Sequence, residues 1–420
     1  MLRRALAPIG PVALALLVPA PALAGWSAPA VLTPRDGAAY AVPDVASERG
    51  RALAAWVRAP AGTRGRARVQ IATRATLSAR WTRPVMLSGS GADAPRVALN
   101  ARGDAIVAWV SGRRVMAAVR RGPAGAWDVA DVVDAGGAVA DVRVAMTVAG
   151  RPTLLWSERS GSGFVVRIAA RPSARAGWSA RPPRIATPGP DPPAVALSRG
   201  GALVAWVDEG AVRAARTTNG TFERPAVIAE DAAHPAAAIN ASATSLAAWG
   251  TALPGGTPVM LASGRAAGAS GWAVAEDVGI GLRPVAAINA RGDAAVAWSL
   301  DEEGEQQGVE AATRRGARGS WRASTVVPRR ECECALTVGG LGIDGRGAAV
   351  VGWHRDDGAA VGGGGAASLG PSAMAWSRAS VAPGHLTRAP AVAGDPVAGG
   401  AAVWVEAGSR GGVRAVTLRP

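Results

Sequence analysis

Residues able to do chemistry are few in this 420-residue chain, and they are scattered. The three histidines, His234, His354 and His385, lie far apart, and Tyr40 is the single tyrosine. The densest polar clusters are Asp208-Glu209, Asp301-Glu302-Glu303-Gly304-Glu305 and His354-Arg355-Asp356-Asp357. These ten charged residues (Asp208, Glu209, Asp301, Glu302, Glu303, Glu305, His354, Arg355, Asp356 and Asp357) are the candidate binding-face loops. Carboxylate oxygens suit calcium, but their spacing here matches no calcium loop. A histidine beside carboxylates reads as a surface ion pair unless a further group orients it as a base. Val361 and the four glycines after it read as a flexible loop, because no Lys-Ser/Thr follows to make a phosphate cradle. Neither G-x-S-x-G nor H-E-x-x-H occurs. The expectation is therefore no catalytic set, no cofactor and no metal.

Cys332 and Cys334 are the only cysteines. They read as two inert or loosely paired thiols, or as a small local disulfide. Side chains two apart in a strand do not meet disulfide geometry, so a bridge would need a turn. A zinc site would need four ligands, and no second pair is near.

The elements that must position these residues come from an internal repeat, read best from Pro95 to Trp109 (PRVALNARGDAIVAW). Tryptophan anchors recur at Trp56, Trp109, Trp156, Trp206, Trp249, Trp298, Trp353 and Trp404, spaced 43 to 55 residues apart. A glycine stands six places earlier at Gly50, Gly103, Gly150, Gly200, Gly292 and Gly347; only Ala243 and Ala398 depart. Short apolar stretches bounded by turn residues are the strand signal. In the second unit they fall at residues 96–100, 105–110, 115–120 and 127–133. Glycine and proline punctuate the chain too often for helices. Four antiparallel strands in about fifty residues is the period of a propeller blade. Both faces of the second strand are apolar, as blades packed on both sides require, so the anchors read as core.

An aromatic residue opens the fourth strand at Trp81, Trp127, Trp178, Phe222, Trp272 and Trp321. Unit seven departs from this: Trp376 reads as part of its third strand and residues 385–390 as its fourth. Unit eight stops one strand short, while Gly25-Trp26-Ser27-Ala28 repeats Gly177-Trp178-Ser179-Ala180. The N-terminus is thus expected to supply the missing outer strand. The fold class is all-β: a β-propeller of eight four-stranded blades closed by the N-terminal strand, with seven blades as the alternative.

On these repeats the chain resembles β-propeller repeat proteins in general. It is similar in size to the sialidase (BNR) type but lacks that family's Ser-x-Asp-x-Gly-x-x-Trp boxes. A sialidase-like mechanism would imply a Tyr–Glu pair and an arginine cluster at the centre, whereas Tyr40 precedes the first blade. Two functions follow: a non-catalytic binding scaffold of unknown ligand, or a glycan-acting enzyme of propeller type. Three or more carboxylates or arginines converging on the central opening would favour the second; an empty, apolar or loop-filled channel would favour the first.

Residues 1–24 read as a secretory signal peptide, with Arg3 and Arg4, an apolar run and Ala22-Leu23-Ala24. Residues 25–420 form a single domain with no later run long enough to span a membrane. The expected location is secreted or periplasmic, and the expected state a monomer. All 46 basic residues are arginine against 31 acids, giving +15. With abundant Ala, Gly and Pro this is the composition of a GC-rich bacterial genome. Loops joining strands two and three, with the inter-blade links, carry most acids. The opposite turns carry Arg49, Arg102, Arg151, Arg199, Arg291 and Arg346, with Arg171, Arg216, Arg314, Arg315 and Arg318. One acidic and one strongly basic face are expected, the latter open to anionic polymers or an envelope component. Nucleic acid is not expected, because the arginines lack interleaved aromatic platforms.

Overall fold

The computed structural model describes residues 25–419 apart from 35, 61–62, 64–65, 173–175, 180–181, 219, 253–257, 303–305, 331–333, 357–361, 379–385, 387 and 407–411. Eight antiparallel sheets follow one another along the chain, with no α-helix among the described residues. The second blade is typical: β6 (Ala92–Leu99), β7 (Ala105–Ser111), β8 (Arg114–Arg120) and β9 (Trp127–Asp134), paired in that order. The first strands of the eight blades are β2 (Ala39–Glu48), β6, β10 (Val139–Met146), β14 (Ala194–Ser198), β19 (Ala232–Ile239), β23 (Leu282–Ile288), β27 (Ala335–Ile343) and β31 (Ala391–Gly394). Each packs against the first strand of the next blade, and β31 packs against β2, so the eight sheets form a ring. This is an eight-bladed β-propeller.

The repeat explains the packing. Ala105, Val107 and Trp109 face the first blade, beside Leu53 and Ala55, whereas Ile106 and Ala108 face the third, beside Leu154 and Trp156. Alternation along a strand sends successive side chains to opposite faces. Every anchor tryptophan fills the interface with the preceding blade, and none is more than 9% exposed. Large rings set against alanines let neighbouring sheets interdigitate at the density of a protein interior. Gly103 turns the chain from β6 to β7 at φ +84°. Where the repeat lacks this glycine, Ala243 itself takes φ +62°, and in the last blade the positive φ falls on Gly399 rather than Ala398.

Side chains at these turns link blade to blade. Asn100 accepts the backbone N–H groups of Arg102 and Asp104 and donates to the Thr147 carbonyl of the next blade at 2.8 Å. Asn240 and Asn289 donate in the same way to the carbonyls of Asn289 and Asp344. Asp344 accepts from Gly399 N, and Asp395 accepts from Gly50 N and the Ser47 hydroxyl of the first blade.

The ring is closed by the N-terminus. β1 (Ala30–Val31) pairs with β33 (Val413–Leu418), Ala30 opposite Ala415, and β33 pairs in turn with β32 (Gly400–Val405). Trp26 bridges to Leu418, packs beside Trp404, and donates its indole N–H to the Ser377 carbonyl of blade seven.

Blade seven is complete but differs from the sequence reading. Its third strand is β29 (Gly364–Leu369), paired with β28 (Ala349–Asp356), and Trp376 immediately precedes the fourth, β30 (Ser377–Arg378). Trp376 therefore holds the same position as Trp127. His385 lies outside the described residues. The glycine run conceals the strand: Gly364 and Gly365 pair with His354 and Trp353, and a Cβ on Gly365 would stand 2.6 Å from the Trp353 ring. Those two glycines make room for the anchor rather than a loose loop.

Candidate binding site in the central channel

The first strands carry a proline near their start: Pro43, Pro95, Pro193, Pro235, Pro284 and Pro390. Proline has no N–H to give a ladder, so it belongs on edges and bulges. Here the free edge faces the propeller axis. The pairing register slips between Ala41 and Asp44, Asp93 and Arg96, Ala233 and Ala236, and Leu282 and Val285. At these four slips the residue before the proline is left-handed: Val42 at φ +47°, Ala94 at +49°, His234 at +50° and Arg283 at +55°. A bulge re-aims the side chains that follow it, and those next to Pro43 and Pro95 are Asp44 and Arg96.

These strands enclose a cavity of about 1080 Å³. Its wall is mostly Ala, Val, Gly and Pro, and it reaches Ser47, Leu197, Ile239, Ile288 and Ile343 at its far end. Just beyond, Glu48 of the first blade and Arg199 of the fourth form an ion pair between blades far apart in the ring. Burial pushes the Glu48 carboxyl up, while the Arg199 charge opposes the shift. The channel is thus narrowed at the face of the strand-one-to-two turns and open at the bulged face.

At the open end one sector is charged. Asp141 pairs with Arg143 at 2.8 Å and with Arg96 at 3.5 Å. Asp44 accepts the Val97 N–H at 2.8 Å. Desolvation raises the Asp44 carboxyl above its ordinary value, against the pull of Arg96 and Arg143. The Nε atoms of Arg96 and Arg143 are buried without a hydrogen-bond partner. His354, Asp356 and Arg388 line another part of the same cavity. A smaller cavity of about 290 Å³ adjoins it, sharing Pro235 and Pro284, and is lined also by Asp191, Pro192, Val207, His234 and Arg283.

Of the residues singled out in the sequence, His354 and Asp356 line the channel, with the His354 Nε2 3.0 Å from the Leu386 carbonyl oxygen. Arg355 is exposed beside them near the end of β28. Asp208 ends β15 (Gly201–Asp208) and pairs with Arg213 at 2.9 Å, and Glu209 is in the turn after it at φ +51°. Asp301 and Glu302 end β24 (Ala294–Glu302), paired with Gln307 and Gln306. Glu303, Glu305 and Asp357 lie outside the described residues, as do residues 1–24 and Cys332. Cys334 is disulfide-bonded. The channel residues Asp44, Arg96, Asp141 and Arg143 were not singled out as a site. Their signal is the charge set directly after proline in Pro43-Asp44 and Pro95-Arg96, which only the bulged strand turns toward the axis.

The turns expected to form a basic face keep Arg49, Arg102, Arg151, Arg291, Arg315, Arg318 and Arg346 exposed, but three of their arginines are withdrawn. Arg171, Arg216 and Arg314 are 6–7% exposed. Arg171 and Arg314 belong to a second repeat, arginine seven places before tryptophan, in which Arg74, Arg120, Arg171 and Arg314 stack over Trp81, Trp127, Trp178 and Trp321 at 4.8–6.0 Å. Such stacking contributes about 0.5–2 kcal/mol each. Arg171, Arg265 and Arg314 also pair with Asp128, Glu223 and Glu276 of the preceding blade. Desolvation lowers Arg74 to about 10. Among the described residues no group of three or more His, Cys, Asp or Glu is placed to hold a metal, and no helix is long and apolar enough to cross a membrane.

No protein-family model and no curated protein matches this sequence. Solved structures match it in fold. A polysaccharide lyase, an ulvan lyase bound to -[GlcA(1-4)Rha3S]-, superposes with a TM-score of 0.51 at 9% identity, covering 92% of this chain and 94% of the lyase. A Hadza microbial sialidase covers 91% of this chain and 66% of its own, at 11% identity and a TM-score of 0.35. The Aleuria aurantia lectin, in complex with Fucalpha1-6GlcNAc, covers 71% and 98%, at 12% identity and a TM-score of 0.40. At these identities the likeness is one of fold.

Proposed function

We propose that this chain is an exported propeller that binds a polysaccharide at the bulged mouth of its central channel. The observation that carries the reading is the Asp44, Arg96, Asp141 and Arg143 set above a cavity of about 1080 Å³. Binding sites combine a largely apolar concavity with a few convergent polar groups. Carboxylates accept from sugar hydroxyls, and guanidinium forks donate in a plane to paired oxygens. Polysaccharide is also the ligand class named for the ulvan lyase of similar fold.

Isothermal calorimetry against a panel of oligosaccharides tests this. The wild-type chain is expected to bind at least one class, and Arg143→Ala to weaken it about tenfold or more, equivalent to ~1.4 kcal/mol. Binding unchanged in Arg143→Ala, or absent from the whole panel, contradicts the proposal.

The convergence of Asp44, Arg96, Asp141 and Arg143 on the central opening meets the condition set by the sequence for a second reading, that of a glycan-acting enzyme. A carboxyl raised by burial, Asp44, stands in the same cluster as a second carboxylate, Asp141, held by two arginines. Glycoside hydrolysis uses an unequal pair of carboxyl groups as acid and base. Release of new reducing ends from any member of the panel, lost in Asp44→Asn, would establish that reading instead.

A further inference from the structure

We propose that His234 and Arg283 form an anion subsite beside the channel, taking the charged group of an acidic sugar unit. This deepens the polysaccharide reading above and rests on it. The bulges of blades five and six put both residues in left-handed backbone at neighbouring X-Pro steps, His234-Pro235 and Arg283-Pro284. Both residues are exposed, and both line the cavity of about 290 Å³. No hydrogen bond or ion pair engages either side chain among the described residues, whereas Arg96 and Arg143 across the ring are tied to Asp141. Non-glycine residues in this backbone region are uncommon, and they cluster at ligand clamps.

The chemistry of the lining narrows the ligand. An imidazole and a guanidinium offer N–H donors to an oxyanion, and Arg283 can do so through two parallel bonds. Asp191 lines the same cavity and would repel a bare multivalent anion, but it can accept from a hydroxyl. Val207, Pro192, Pro235 and Pro284 give the apolar remainder. One anionic group with hydroxyls on neighbouring carbons satisfies all of these, and that is the chemistry of a uronate or of a sulfated sugar. The two cavities share Pro235 and Pro284, so the subsite lies directly beside the channel.

The test uses the full chain, His234→Ala, Arg283→Ala and Arg143→Ala, each titrated by calorimetry with oligogalacturonate, dextran sulfate and uncharged dextran. Circular dichroism first confirms that each variant is folded. The inference predicts that the wild type prefers a charged polymer to dextran by at least tenfold, and that His234→Ala and Arg283→Ala each remove most of that preference. Preference for oligogalacturonate assigns a carboxylate to the subsite; preference for dextran sulfate assigns a sulfate ester. If Arg143→Ala weakens binding while His234→Ala and Arg283→Ala leave the charged preference intact, the subsite is refuted and the polysaccharide reading stands. If the wild type binds none of the three polymers, both are refuted.

Discussion

Asp104 illustrates how much one side chain does in this repeat. It accepts from Asn100 Nδ2 and from Gly122 N, both at 2.8 Å, and pairs with Arg102 at 3.2 Å. Burial alone would raise its carboxyl, but the hydrogen bonds from Asn100 and Gly122, together with the Arg102 charge, hold it below its ordinary value. Asp293 repeats the arrangement with Asn289, Gly316 and Arg291. A carboxyl depressed on folding gives stability that is present above its unfolded value, about pH 4, and is lost as pH falls through the folded value. Asp44 and Glu48, both raised, act in the opposite sense: their contribution is present below the unfolded value and lost as pH rises through the folded one. Differences from the wild type isolate the first effect. Asp104→Asn/Asp293→Asn should flatten the decline in melting temperature between about pH 5 and pH 2; an identical slope in variant and wild type would refute this account of the turns. The anchors were legible at this scale because one ring per unit has one job, and all eight are buried. The stacked arginines were not. A charged residue before a turn reads as solvated, and only the folded ring shows that Arg314 meets both Trp321 of its own blade and Glu276 of the preceding one.

Among the elements, β1 has the largest effect for its length. It has two residues in regular pairing, extended by the Trp26 bridge, the Ser27 N–H to Thr417 O bond at 2.8 Å and the Leu32 N–H to Val413 O bond at 2.8 Å. Without it, β33 becomes an exposed outer edge, the surface that templates aggregation. Deleting residues 25–33 should strongly lower the melting temperature and promote association, measured by thermal unfolding and light scattering; an unchanged melt contradicts the closure. This strand was readable because four residues repeat those of another blade at the matching place. The fourth strand of blade seven was misread because glycines replaced the expected apolar pattern in the strand before it. The bulges were also missed, and with them the site. Proline at residue 95 marked a boundary, whereas β6 begins earlier, at Ala92, and runs through it. Period-two patterning has no term for an inserted residue, so the side chains that a bulge turns to the axis are assigned to links between blades.

For the whole molecule, the architecture separates stability from recognition. One face carries the strand-one-to-two turns, whose Asn and Asp side chains join blade to blade, with the Glu48–Arg199 pair across the axis. The other face carries the bulged strand starts, the open cavity and the Asp44, Arg96, Asp141 and Arg143 charges. Part of the positive charge is spent between blades, where Arg171, Arg265 and Arg314 meet acids of the preceding blade. The fold was legible because it repeats eight times. The site was not, because it is assembled from residues that differ in every blade and meet only when the ring closes. A crystal structure of the chain soaked with oligogalacturonate tests the central claim most directly. The account predicts ligand density across the bulged mouth, between the Arg143 sector and Arg283; density confined to the strand-one-to-two turns or to the outer strands would contradict it.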